Sequence, residues 1–553
     1  MRARAIVLTL MLAALAANAF AAEGLTWWSN PWTESFRSAS TGSLLEDDLD
    51  IMLDPAGLPT LEGYRLYTNL SNLTGKNEDV FDNNSNGYYL LGGSGKVMDY
   101  GYAGMLFDRR ADSYRDTTLT NTSNYVDNDA NGTYDQRTVT DAINSDYYKN
   151  AWTDWWLGYG RNFGAGRLGA LVYRQAGTYN SMPNGFNASS HIVITDLVTG
   201  NTTSDINTEY SLNTLTVRSV TGGAVSYWMP MGDKIDLGLA GGINIRLATE
   251  YDTMTYSYTS TNPSAAGTNG TTIDSTGYVD IIPQDNVGLE FNVRGAAVYK
   301  WSDNVKTRTD LVFSTLSGER TDGYHNSEYN SLVAFQLPTG VQSTNIHRTY
   351  TSDPITQDNH RMSLSLFSKT TAKLGEKVEM AMGLGFGTST RDFSTKYTQD
   401  YNQTVVYNDG DAIATNDYTT ITTGTIDHQE IYTESNFGIS APVGLEFRIT
   451  KPFVFRLGAS PIYSSTDYSV DTLNEYTPNK TININGVGVT TQTITTPFAS
   501  TNGTYNVHNP ARISVNYSYG AGWKISDNLQ IDLMGFADIY TMRYWKLSAI
   551  LKF

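Results

Sequence analysis

Seven short turns divide the chain at a nearly constant interval. They fall at Gly93–Lys96, Gly164–Arg167, Met231–Lys234, Ser302–Lys306, Leu374–Lys377, Thr450–Pro452 and Ser526–Asn528. From Lys96 through Arg167, Lys234, Lys306, Lys377 and Lys451 to Asp527 the steps are 71, 67, 72, 71, 74 and 76 residues. A repeat this regular implies one structural unit used again. The flanking segments alternate with period two, the signature of β-strands. Taken in steps of two, Ile235 to Tyr251, Val287 to Trp301, Phe437 to Ile449 and Ile513 to Ile525 carry no charge, whereas the opposite face carries Asp236, Arg246, Glu290, Arg294, Glu446 and Arg448. Each unit is strand, tight turn, strand, and then a long polar connection rich in Asn, Thr, Asp, Ser and Gly.

Two observations turn these strands toward a membrane. The chain starts with Arg2 and Arg4, an apolar run from Ala5 to Ala16 and the small-residue site Ala19-Phe20-Ala21, so residues 1–21 are expected to be a secretory signal peptide. Beyond it no window offers 18 apolar residues, and a spanning structure without a helix must be a closed barrel, because lipid cannot satisfy open sheet edges. A chain with no cysteine uses no disulfides. A net charge of -18 argues against a nucleic-acid partner and against binding to anionic membrane surfaces, and it suits solvated loops.

The predicted fold is all-β: a single transmembrane antiparallel up-and-down barrel of about 16 strands, within a range of about 14 to 18, with short periplasmic turns and long extracellular loops. The first strand is placed at Leu61 to Ser71 and the closing strand at Arg543 to Phe553. Tyr210 to Met229 is too long for one unbroken strand on this scheme, and Pro442 and Pro461 suggest bulges or strand ends. Trp228, Trp301 and Trp523 lie just before turns, where an interfacial aromatic girdle falls.

The closing strand ends in Phe553, with Leu551 and Trp545 on the same face. This resembles the assembly signal of bacterial outer-membrane β-barrel proteins, which implies location in the outer membrane and the barrel-assembly machinery as a partner, besides lipid. Residues 22–60 do not alternate; they contain Trp27-Trp28, an acidic run from Leu44 to Asp50, and Asp54-Pro55-Ala56-Gly57. That last turn resembles the one in the inner plug of outer-membrane fatty-acid and hydrocarbon transport barrels, with Asp54 where those proteins carry Asn. The resemblance implies a plug and a hydrophobic cargo; the alternative is a helix-to-turn connector on the periplasmic side.

Candidate pore-lining residues follow from strand parity: Arg218, Arg246, Glu290, Arg294, Arg308, Asp310, Arg361, Glu379, Glu446, Arg448, Arg456, Arg512 and Asp532. Opposed basic and acidic groups around a water-filled lumen would filter polar solutes by size and charge. Two Asx-rich turns, Asp127, Asp129, Asn131 and Asp135, and Asp82, Asn84, Asn86 and Gly87, place alternate oxygens around a glycine as calcium would require, though neither has Glu at position twelve. The six histidines fall in polar connections or at their edges, and no Gly-x-Ser-x-Gly elbow or His-Glu-x-x-His helix occurs, so no enzyme is expected and no cofactor beyond that calcium. Three functions remain open: a channel for passive diffusion of small hydrophilic solutes, which is the leading expectation; a plugged transporter of hydrophobic compounds; and a surface adhesin or structural barrel. A homo-oligomer is open in each case.

Overall fold

Alternation continues far past the length a bilayer needs. In a computed structural model that describes residues 35–553 except 72–86, 129, 183–186, 263–268, 284–286, 337–341, 409–416, 486–487, 494–500 and 536–545, nearly the whole chain is antiparallel sheet. Its segments are β1 (Arg65–Ser71), β2 (Gly87–Val97), β3 (Gly101–Val126), β4 (Gln136–Phe163), β5 (Gly166–Met182), β6 (Asn187–Asp196) and β7 (Thr202–Met231). Next come β8 (Ile235–Asn262), β9 (Asn269–Pro283), β10 (Gly288–Ser302), β11 (Val305–Gln336), β12 (Gln342–Lys373), β13 (Val378–Asn408) and β14 (Tyr418–Ser440). The ring is completed by β15 (Val443–Arg448), β16 (Phe453–Asn485), β17 (Gly488–Thr493), β18 (Thr501–Lys524), β19 (Leu529–Gly535) and β20 (Lys546–Lys552).

Four staves consist of two consecutive segments each: β5 with β6, β9 with β10 and β14 with β15 share both neighbours, and β17 and β18 both pair with β16. The result is a ring of 16 strands. The ring closes where β20 pairs with β1, from Arg65 opposite Lys552 to Ser71 opposite Lys546. On the outward face the alternation makes a belt of exposed apolar residues, including Leu239 (64% exposed), Ile245, Leu289, Phe291, Leu311, Met362, Leu445 and Leu457. Trp301 and Trp523 stand on that face near the turns, more than half exposed, as an interfacial girdle requires.

The structure corrects several expectations. The long polar connections are mostly strand: β7 runs 30 residues, β11 and β12 32 each and β16 33, against about ten for a bilayer crossing. Tyr210 to Met229 therefore lies within one unbroken strand, held along its length by β5 and β6 on one side and β8 on the other. Thr, Tyr and Val fit a pleated sheet even when both faces are wet, so the apolar-face criterion fails once the strand leaves the membrane. The first turn sits at 98–100 rather than at Gly93–Lys96, because those glycines are strand positions; a Cβ on Gly95 would overlap the Tyr64 ring. All six histidines lie in strands. Pro442 marks the break between β14 and β15, whereas Pro461 stays inside β16 opposite Val515. Trp228 is no girdle residue: it shares a face with Ala224 and Ser226, points into the ring and is 7% exposed.

Inside the ring sits the segment from Ser35 to Leu61. It contains α1 (Phe36–Ala39), capped by Ser35; α2 (Asp48–Leu53), opened by an Asp47–Asp50 capping box; and a 3-10 helix (Pro55–Thr60) capped by Asp54. Its close approach to the wall depends on glycine. A Cβ on Gly169 of β5 would overlap Pro55 and Ala56, and one on Gly458 of β16, across the ring, would overlap Thr41 and Gly42.

Candidate functional site: a plug pinned inside the barrel

The inner segment is held by charge on one arc of the ring. Arg37 donates to Glu379 of β13 and to Glu446 of β15, each at 2.9 Å, and Arg456 of β16 joins Glu446 (2.9 Å) to Asp532 of β19 (2.6 Å). Glu46 takes Lys369 of β12 (2.7 Å) and Arg308 of β11 (3.1 Å). Burial alone would raise the Glu46 carboxyl, but those two cations hold it well below the usual carboxylate range. Asp47 is the converse case: burial, then the neighbouring Asp50 and Asp532, push it well above the usual range.

The predicted turn Asp54-Pro55-Ala56-Gly57 is the second anchor. Asp54 accepts hydrogen bonds from Ser226 Oγ and Trp228 Nε1 of β7, both 2.8 Å, and lies 3.9 Å from Arg294 of β10. A third anchor sits at the closure seam, where Asp48 meets Arg65 of β1 (2.9 Å) and Lys552 of β20 (2.6 Å). Burial opposes ionisation of Asp48 too, yet Lys552 and Arg65 lower its pKa.

The other arc combines apolar packing with an Arg110–Asp154 pair of β3 and β4 (2.9 Å) whose carboxylate is buried. Leu49, Met52, Leu53, Leu58 and Leu61 of the plug pack with Tyr67, Leu90, Leu106, Trp156, Leu171, Tyr173 and Ala224 of the wall, from β1 round to β7. Each large apolar side chain buried this way contributes on the order of 2 kcal/mol. The inner segment is thus held by ionic and hydrogen-bond anchors spread around the ring, with apolar packing concentrated from β1 round to β7.

The sequence-predicted inward charges divide into two sets. At plug level, Arg294 pairs with Asp310 (2.7 Å), which also takes Arg308 (2.9 Å), while Glu290 takes Arg246 (2.7 Å) and an amide hydrogen bond from Asn244 (2.7 Å). Glu379, Glu446, Arg456 and Asp532 belong to the Arg37 network described above. Arg294, Asp310 and Asp532 are at most 2% exposed, so at this level these groups bridge wall and plug. Burial on this scale requires the pairing, because an uncompensated charge in a dry interior is costly. The second set, Arg218, Arg361, Arg448 and Arg512, lies outside that network, with Arg218, Arg448 and Arg512 exposed. Sequence reasoning missed Arg37, Glu46, Asp48 and the wall residues Ser226 and Trp228.

Of the remaining candidates, Asp427 and His428 face opposite ways. Asp427 accepts from Thr398 (2.7 Å), and His428 lies between Asn474 (2.6 Å) and Gln399 (2.8 Å). In the Asp127–Asp135 turn the oxygens serve backbone N–H groups. Asp127 accepts from Gly132 (2.7 Å), Asn131 from Thr133 (2.7 Å) and Asp135 from Asn128 (2.7 Å). Asp129, the Asp82–Asn86 stretch, Trp545 and residues 1–21 lie outside the described residues. Leu551 and the exposed Phe553 face outward at the seam, Phe553 exchanging backbone hydrogen bonds with Tyr64 at 3.1 Å.

No family model and no curated protein matches the chain. Solved structures similar to it include a monoaromatic hydrocarbon channel, CymD, at 8% identity and a TM-score of 0.29, covering 81% of this chain and 98% of that one. The toluene transporter TbuX of Ralstonia pickettii is similar at 10% identity and a TM-score of 0.28, over 81% of this chain and 98% of that one. The toluene transporter TodX of Pseudomonas putida follows at 10% and 0.25, over 83% and 100%.

Proposed function

We propose that this chain is an outer-membrane transport barrel in which residues 35–61 close the lumen to free diffusion, and that its cargo is small and apolar or amphipathic. The observation that carries the closure is the set of anchors Arg37, Glu46, Asp48 and Asp54, which meet the wall on β13 and β15, on β11 and β12, on β20 and β1, and on β7. A segment tied at such separated places crosses the lumen instead of lying along one side of it. Passive diffusion of small hydrophilic solutes fits less well, because nine of the thirteen charges that would line a wet pore are engaged at plug level.

The preference for apolar cargo rests on the unequal seams. An apolar molecule passing along the ionic seam would separate charges without replacing their partners, and each charge left uncompensated in a dry interior costs about 3–5 kcal/mol. Parting the seam along Leu90, Leu106, Trp156 and Leu171 exposes apolar wall, which an apolar molecule can cover again as it passes. The test uses refolded full-length barrel in lipid vesicles. Phenylnaphthylamine, an apolar fluorescent probe, should cross several-fold faster than into barrel-free vesicles, and arabinose should not cross measurably. Free passage of arabinose with no gain for the probe would overturn the proposal in favour of the hydrophilic channel.

A further inference from the structure

The outer face of the barrel is not uniform where the apolar belt ends. On β3, β4 and β5 the inward positions are fixed by Leu106, Trp156 and Leu171, which pack against the plug. The alternate residues therefore face outward, and Met105, Leu157 and Val172 are 58%, 51% and 48% exposed there. Trp155, just above Leu157, is 42% exposed. One step further from the periplasmic turns the outward positions are Arg109, Thr153 and Arg174, about where a strand of ten residues leaves the hydrocarbon. β4 pairs with both neighbours without a break: Thr153 stands opposite Arg109, and Trp155 opposite Arg174. At ordinary strand spacing the two arginines start roughly 12 Å apart on either side of β4, so a group above Thr153 is within reach of both.

Arg174 is exposed and makes no ion pair among the described residues, while Arg109 is half-buried. Another sector of the belt edge has the opposite sign. On β11, β12 and β13 the outward positions beyond Leu311, Met362 and Phe386 include Glu319, Asp358 and Asp392, all exposed, with Glu319 directly opposite Asp358. The net charge of -18 thus does not describe the sector from β3 to β5. An arginine stem lying along apolar surface with its head in water is ordinary. Two arginines at one level, flanking a hydroxyl and an indole on the same sector, make a cradle.

We propose that Arg174, Arg109 and Thr153 hold the phosphorylated headgroup of an outer-leaflet lipid whose acyl chains lie along Met105, Leu157 and Val172. Charge complementarity selects the phosphate, which a guanidinium takes through a two-pronged hydrogen bond, and the Thr153 hydroxyl donates another. Continuity with the belt selects a lipid over a free anion, because the apolar surface for its chains begins directly beneath the charges. The Trp155 indole sits at the depth where an aromatic ring meets headgroups. The site is on the lipid side of the wall, so it stands whatever cargo the lumen carries.

The experiment is native mass spectrometry of refolded full-length barrel in neutral detergent, with equal amounts of dioleoyl phosphatidic acid and dioleoyl phosphatidylcholine. Phosphatidic acid, whose phosphate is uncovered, is expected to be retained about tenfold more than phosphatidylcholine, whose phosphate is masked by choline. R174Q should cut that preference by about fivefold and R109Q by a smaller factor, while E319Q, in the acidic sector, should leave it unchanged. R174K keeps the charge without the fork and should retain part of the preference, which guards against a misfolded glutamine variant. Equal retention of the two lipids, or a preference that survives the combined R109Q and R174Q changes, overturns the site. Inorganic phosphate at the lipid's concentration should not displace phosphatidic acid; displacement would mark a site for free anions and overturn the assignment to lipid.

Discussion

The inner wall has two levels built from the same alternating strands, and they handle charge in opposite ways. At plug level the chain supplies its own partners: Glu46 for Arg308 and Lys369, Arg37 for Glu379 and Glu446, Asp48 for Arg65 and Lys552. Beyond the belt, Arg391, Glu434 and the tyrosines pack against neighbours on the wall itself and remain partly open to the lumen. Pairing with an inserted segment makes a seal, and pairing along the wall makes a surface. The same alternating wall thus pairs its charges with an inserted segment at one depth and along itself at another.

The contrast breaks most readily at the glycines beneath the plug. Gly169→Leu or Gly458→Leu places a side chain where Pro55–Ala56 or Thr41–Gly42 now lie, and should displace the plug while leaving the ring folded. Protease access to residues 35–61 in the refolded variant, with β-sheet circular dichroism unchanged, checks this; a plug as protected as in the parent would show that the segment does not press on the wall. A smaller effect is expected from Glu46→Gln, which leaves Lys369 and Arg308 without their shared carboxylate and should weaken docking by about 3 kcal/mol. The same exposure assay in a urea series would register it as an earlier release.

Acidity sharpens the comparison further. Because the Glu46 pKa is depressed in the docked plug, its contribution is fully present above the ordinary value of 4.5 and fades only as pH falls through the much lower docked value. Between about pH 8 and about pH 5 the Glu46 contribution should therefore not weaken, while the raised Asp47 favours docking as pH falls, so plug protection should hold or increase across that window. The smallest effect is that of Asp47→Asn. Burial, Asp50 and Asp532 disfavour the anion there, so the neutral Asn, which caps a helix as well as Asp does, should delay release slightly at neutral pH. A large loss of protection in that variant would mean that the Asp47 charge matters to docking.

Much of the ring was legible in the sequence. The even strand number with both termini at one seam followed from the turns, and Glu379, Glu446, Arg308 and Arg456 share the parity of the residues that meet the inner segment. The far half of the strands was not legible, because in stretches such as Thr253 to Thr261 both faces are polar and nothing but the β preference of Thr and Tyr separates strand from loop. Trp228 was misplaced because an indole near a turn suits either face. Only its shared parity with Ala224 and Ser226, against the outward Met229 and Met231, decides the matter. The partners of Asp54 lie 172 and 174 residues away, and no local pattern specifies such docking. One usable signal was present: the acidic run from Glu46 to Asp50 complements the inward Arg308, Lys369 and Lys552.

The central claim is that the plug seals the barrel, and conductance measures it directly. Full-length protein refolded into a planar bilayer is predicted to be electrically silent apart from rare transients, while Gly169→Leu in the same bilayer opens a steady, salt-dependent current. Steady conductance from the intact chain, equal to that of Gly169→Leu, would contradict the account.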